Sequence, residues 1–141
     1  MTPIFVDTSA LFAVLDADDA QHPRAKLSWE RLLAEDRTLV STNYVLVETF
    51  ALVQHRLGMQ ALRTLQEDVI PVLTVEWIRE GLHDKSVAAV LTSGRRALSL
   101  VDCSSFEIMR ELGIAAAFAF DAHFSEQGFE RMPPASSEDP V

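Results

Sequence analysis

The chain reads as one α/β domain with a central parallel sheet of four to five short strands flanked by helices. Three observations predict this. Short apolar runs recur along the 141 residues, each ended abruptly by a polar one, as strands buried on both faces would be. Longer stretches between them repeat apolar residues every three or four positions, the period of an amphipathic helix. The two kinds of segment alternate, which is the pattern of strand–helix–strand units closing a parallel sheet.

Residues 3–6 form the first strand, apolar until Asp7 stops it. Thr8 or Ser9 is expected to cap a helix carrying Leu11, Phe12, Val14 and Leu15, closed by Asp16-Ala17-Asp18-Asp19. His22-Pro23 opens a second helix through about Glu35, with Ala25, Trp29, Leu32 and Leu33 on one face. Residues 38–41 are the second strand, and Thr42 or Asn43 caps a helix that runs to about Leu57 and stops at Gly58. A further helix over 59–68 precedes a third strand at 70–74. The spacing of Trp77, Ile78, Leu82, Val87, Val90 and Leu91 predicts a helix over 76–91. Residues 92–99 are a polar loop containing Gly94-Arg95-Arg96. Asp102 stands before a helix over 103–112 that Gly113 ends. Residues 115–120 and 128–132 are the fourth and fifth strands. The domain is thus expected to span 1–132, with 133–141 a disordered acidic tail of Pro, Ser and acid without periodicity.

Composition narrows the function. Apolar residues at 48% and charged ones at 23% are those of a soluble globular protein. The first residues carry no basic segment of a signal peptide, and no apolar run approaches the roughly 20 residues of a membrane helix. The single Cys103 forms no internal disulfide, so a cytoplasmic location is expected. A net charge of −9 argues against tight, nonspecific nucleic-acid binding, which phosphate neutralisation dominates. It leaves room for a small contact anchored by a metal ion, and Arg95-Arg96 is the only adjacent basic pair.

Four acids stand where apolar stretches meet turns or helices: Asp7, Glu48, Asp102 and Asp121. In open parallel sheets the ligand site lies beyond the carboxyl ends of the strands, where Asp7 and Asp121 fall. Each acid also has an ordinary structural reading. Asp7 and Asp102 suit helix capping, and Asp121 suits a turn. Glu48 is different: one turn from both Tyr44 and Leu52, it sits on a face expected to pack, where an unpaired carboxylate is costly. An arginine partner or an exposed edge would also account for it. If the fold gathers the four, their repulsion calls for protons or a cation, and a hard divalent ion suits an all-oxygen set. His22, His55 and His83 have no metal-ligand spacing and read as surface residues. His123, two residues after Asp121, reads as a loop or core residue within reach of substrate. Cys103 reads as packing, and Trp29 and Trp77 as members of helix faces.

In order along the chain, Val6-Asp7-Thr8-Ser9-Ala10-Leu11, Glu48 early in a helix after the second strand, and Leu100-Val101-Asp102-Cys103-Ser104-Ser105-Phe106 recur as motifs. Ala119-Phe120-Asp121-Ala122-His123-Phe124 followed by Gly128-Phe129 completes the set. This series resembles the PIN-domain nucleases, most closely the VapC-like ribonucleases of bacterial toxin–antitoxin systems, over residues 3–132. The resemblance implies hydrolysis of RNA phosphodiester bonds with Mg2+ or Mn2+. It implies Asp7 and Asp102 as central ligands and Asp121 completing the group. Glu48 would be a ligand, direct or through water, or a base. Thr8, Ser9, Ser104 and His123 would be supporting or substrate-contacting residues. It also implies a protein antitoxin as partner, and exposed apolar helix surface would allow a homodimer. Two positions depart from the pattern: Phe120 stands where many relatives have Thr or Ser, and Ala122 where an Arg is common.

Two other classes also place acids on an α/β fold of this kind. One is a module of the same fold that binds partners without catalysis. The other is an α/β phosphatase or receiver-type domain. Ser9 stands where the haloacid-dehalogenase pattern needs a second Asp, and no Lys follows Lys85 where a receiver needs one. A dinucleotide-binding enzyme lacks its Gly-x-Gly-x-x-Gly.

Overall fold

A computed structural model describes residues 2–135. Five strands form one sheet: Ile4–Val6 (β1), Leu39–Thr42 (β2), Thr74–Glu76 (β3), Ala116–Phe118 (β4) and Glu130–Met132 (β5). Their order is β3-β2-β1-β4-β5, and every neighbouring pair is parallel. The helices are Thr8–Leu15 (α1), His22–Ala34 (α2), Asn43–Arg56 (α3), Met59–Thr64 (α4), Glu80–Ser93 (α5), Leu100–Leu112 (α6) and His123–Glu126 (α7).

The strand order places the site. From β1 the chain moves outward through β2 to β3, then crosses back to lay β4 and β5 on the other flank. That reversal opens a crevice at the carboxyl ends of β1 and β4, the usual ligand position in such sheets. β1 is central and wholly buried, with Ile4, Phe5 and Val6 all at 0% exposure. Helix α1 packs on α2 and α3, and α6 packs on α3 and α5.

Aromatic packing supports the crevice from below. Phe124 is fully buried, with its ring 6.2 Å from that of Phe5 and 5.1 Å, edge-on, from that of Phe106. It anchors the short α7 that follows Asp121.

Several boundaries differ from the sequence reading, each for a local reason. The strand expected at 70–74 lies at Thr74–Glu76 instead. Residues 65–69 continue α4 as a wide π turn, and Ile70–Val72 form a 3-10 turn with Pro71 in its first positions. Proline suits such a start, where its missing N–H is not needed, whereas in a strand it would break the ladder. The displaced strand takes Glu76 out of the helix expected to begin there. Trp77 consequently belongs to no helix face and is 67% exposed. The N-cap of α1 is Asp7, not Thr8 or Ser9. Asp102 lies inside α6, at its third position, and the cap is Ser99. Helix α7 was not expected at all. Of the tail expected at 133–141, residues 136–141 lie outside the described residues.

Candidate metal and catalytic centre

Asp7 follows β1 directly, at the point where the strand's buried backbone turns into α1. Its Oδ2 accepts hydrogen bonds from the Ser9 N–H (3.1 Å) and the Ser9 hydroxyl (2.7 Å). Ser9 Oγ in turn accepts from Phe120 N–H at 2.9 Å. One serine therefore ties the end of β1 to the segment leaving β4. Asp7 is only 4% exposed. Burial pushes its carboxyl up to about 7; the Ser9 bonds oppose that rise, and the charges of Asp102 and Asp121 add to it.

Asp102 has two partners. In a capping box its Oδ2 accepts from Ser99 N–H at 3.0 Å, while its own N–H donates to Ser99 Oγ at 3.0 Å. The same Oδ2 lies 3.7 Å from His123 Nδ1. Asp102 thus takes part in helix capping and at the same time faces His123. Partial burial raises its pKa, with Asp121 adding to the rise and the Ser99 contacts and His123 opposing it.

Asp121 leaves β4 on a turn and accepts from His123 N–H through Oδ1 at 2.9 Å. His123 Nδ1 stands 3.0 Å from that oxygen, out of line for a hydrogen bond. One atom from each of Asp102, Asp121 and His123 falls within a group whose members are at most 4.8 Å apart. The residues alone read His123 as a loop or core residue within reach of substrate, and the resemblance as a supporting or substrate-contacting one; the structure puts it beside Asp102 and Asp121. Its offset of two residues from Asp121, at the start of a one-turn helix, was the available signal.

Neither Asp7 nor Glu48 belongs to that group. The packed face of α3 is made by Val45, Thr49 and Val53, and Glu48 lies beside it on an exposed edge, contrary to the packing face expected for it. It remains coupled to the centre: partial desolvation raises its pKa, the Thr8 side chain opposes this, and Asp102 and Asp121 add to the rise. A surface cleft of about 430 Å3 opens next to it, lined by Tyr44, Val47 and Ala51 of α3 and by Val101, which precedes Asp102.

The remaining predicted residues divide. Thr8 is buried, with its hydroxyl 2.9 Å from Thr49 Oγ1 and 3.2 Å from the Val45 carbonyl, so it clamps α1 to α3 and reaches the centre through Glu48. Ser104 is buried and donates to the Val101 carbonyl of its own helix at 2.7 Å. That bond uses its hydroxyl proton within α6, the helix that carries Asp102. Cys103 is buried as packing. Arg95, of the adjacent basic pair, is held to Glu126 of α7 by two contacts of 3.2 Å.

Comparison with known proteins follows the same lines. The family model described as PIN domain matches residues 4–130. The 23S rRNA-specific endonuclease VapC20 of Mycobacterium tuberculosis is 35% identical over 132 residues, covering 93% of this chain and 98% of that protein. The crystal structure of that protein, described as a sarcin-ricin loop cleaving toxin, superposes with a TM-score of 0.78 at 36% identity. The match covers 89% of this chain and 95% of the other. FitAcB from Neisseria gonorrhoeae shares the fold at 14% identity, with a TM-score of 0.67 over 93% of this chain and 97% of that one.

Proposed function

The chain belongs to the PIN-domain family, and from that premise we propose that it is an endoribonuclease that hydrolyses RNA phosphodiester bonds with a divalent cation, Mg2+ or Mn2+. One observation carries the reading. Four acids far apart in sequence meet at the carboxyl ends of β1 and β4, close enough that the charges of Asp102 and Asp121 add, after burial, to the proton affinity of Asp7 and Glu48. Capping and turn roles account for three of these acids singly, but gathering like charges costs the fold, and the buried one cannot ionise cheaply.

The residues fit such a cation. The donor set is carboxylate oxygen, which hard ions prefer, and a buried ring nitrogen faces it without a hydrogen-bond partner among the described residues. Asp7, Asp102 and Asp121 would hold the ion, with Glu48 at the edge toward solvent. When bound, a divalent cation offsets the carboxylate repulsion and the negative charge that builds on a phosphodiester under attack. The chain's own residues supply the rest. Ser9 holds Asp7 and the Phe120 backbone in one arrangement. The capping box fixes Asp102, so that its position is set by the start of α6 and not by a mobile loop. Glu48, with a raised pKa and access to solvent, is placed to accept a proton from water at the open side.

The substrate to test first is ribosomal RNA, because 23S rRNA is what the relative of 35% identity is named for. The open cleft beside Glu48 leaves room for a nucleotide next to the acids, and Arg95 and Arg96 place positive charge on the loop entering α6. A toxin of this kind acts in the cytoplasm and calls for a protein antitoxin; no helix of the described residues is long and apolar enough to cross a membrane. Exposed apolar residues away from that cleft, such as Leu91 (76%) and Leu27 (59%), would be buried in a homodimer.

The test is cleavage of 23S rRNA, free and in ribosomes, by purified protein with Mg2+ or Mn2+ and with chelator. Asp7→Asn and Asp102→Asn should each lower the rate by more than about 100-fold with the fold retained. Equal cleavage by wild type and both variants would remove the assignment.

A further inference from the structure

His123 is the one group in the centre whose chemistry the acids do not explain. Its Nδ1 is buried and makes no hydrogen bond with any described residue, which is costly for a ring nitrogen inside a protein. It nevertheless points into the acids, 3.0 Å from Asp121 Oδ1 and 3.7 Å from Asp102 Oδ2. Two donors on one cation stand at most about twice the metal–ligand distance apart, roughly 4 Å for an ion with bonds of about 2.0–2.1 Å. Both separations fall inside that limit. The ring is held by backbone geometry: His123 N–H is bonded to Asp121 Oδ1, and the next residue, Phe124, is locked in the aromatic core.

We propose that His123 is a direct nitrogen ligand, through Nδ1, to the cation held by Asp102 and Asp121, and that it biases the centre toward Mn2+ over Mg2+. The inference rests on the metal-dependent reading above. Imidazole is a poor partner for Mg2+, which favours oxygen and keeps its waters, and a better one for transition metals. An all-carboxylate centre would not discriminate in this way. The rival role for His123 is that of a positive counter-ion to the two acids, which would bind no metal.

The two roles separate spectroscopically. Wild-type protein loaded with Mn2+ should give a nitrogen coupling in pulsed electron paramagnetic resonance, and its pattern should change when histidine alone is labelled with 15N. His22, His55 and His83 lie outside this group, so the label reports on His123. His123→Gln should lose the coupling, and its Mn2+ affinity should fall by about 10-fold or more while its Mg2+ affinity changes much less. Circular dichroism and the melting temperature check that the variant folds. If Mn2+ binds to the wild type without histidine coupling, and Asp102→Asn abolishes binding, the nitrogen ligand is wrong and the metal centre stands. If coupling persists in His123→Gln, the assignment to His123 is wrong. If the wild type binds no Mn2+, both this inference and the metal-dependent reading fall.

Discussion

Replacing Asp7 by Asn should stabilise the protein in chelator, and by more at pH 8 than at pH 5. A carboxyl with an ordinary pKa of 3.8 that is held at about 7 in the fold keeps a proton that the unfolded chain has released. Between those values the folded state binds more protons, so stability falls as pH rises, by roughly 1.4 kcal/mol for each pH unit. The full loss, complete above about pH 7, is on the order of 4 kcal/mol. Asp7 is 4% exposed, so solvent screening does not reduce this much. Asparagine has the shape of the protonated acid and keeps an oxygen for the two Ser9 donors, yet it cannot ionise. The variant should therefore unfold about 3–4 kcal/mol later than wild type at pH 8, a rise in Tm on the order of 10 °C. At pH 5 the folded wild type keeps this proton while the unfolded chain has largely released it, so the gap should shrink to roughly 1.5 kcal/mol and close only below about pH 4. Urea unfolding of both proteins with chelator at the two pH values measures it, and comparing them cancels other titrating groups. Saturating Mn2+ should close the gap at pH 8 by stabilising wild type more, about 2.7 kcal/mol at 100 times Kd. A pH-independent gap, or a variant less stable at both pH values, would refute the desolvation argument.

Two further substitutions probe the supports of the centre. Phe124→Ala removes a fully buried ring from contact with Phe5, Phe106 and Phe129 and should cost about 3–5 kcal/mol in urea unfolding, with loss of Mn2+ affinity as the turn bearing Asp121 and His123 loosens. Ser9→Ala removes a hydroxyl that donates to Asp7 and accepts from Phe120 N–H, and should cost about 1–3 kcal/mol. Because that hydroxyl lowers the Asp7 pKa, its loss should extend the fall of stability in chelator to higher pH, seen as a displaced transition in a pH series of unfolding.

The α/β class, the parallel sheet and the placement of Asp7 and Asp121 at strand ends are legible in the sequence, because buried strands and amphipathic helices differ in period and their alternation leaves few topologies. The third strand is misread because Ile70, Val72 and Leu73 have strand-forming side chains, while the backbone follows Pro71 into a turn. Composition reports side-chain preference; the missing N–H decides the ladder. Glu48 is misplaced by one position around its helix, since α3 is apolar on most of its circumference and its periodicity does not single out the packed face. The nearness of His123 to Asp102 and Asp121 is not legible because it depends on a helix of four residues, too short to leave a periodic signal. The acceptor of the Ser104 hydroxyl is not legible either, since proximity in sequence to Asp102 says nothing of where a helical hydroxyl donates, here to the carbonyl three residues back.

The buried acid also makes cation affinity depend on pH. On the metal-dependent reading, Asp7 must give up its proton before it can act as a ligand, so binding competes with a proton held with a pKa of about 7. Apparent affinity should then weaken tenfold for each pH unit below about 7 and level off above it. Mn2+ should bind about 10-fold more weakly at pH 6 than at pH 8. Near pH 6, calorimetry in two buffers of different ionisation enthalpy should show about one proton released per ion. Asp7→Asn should bind more weakly at every pH, and its affinity should lose most of this dependence. A wild-type affinity that is flat from pH 6 to pH 8 would mean that Asp7 is ionised without the cation, or that it is not a ligand. The stability gap between wild type and Asp7→Asn in chelator separates those two cases: an ionised Asp7 leaves the gap unchanged across pH, whereas a protonated bystander makes it open with pH while cation affinity stays flat.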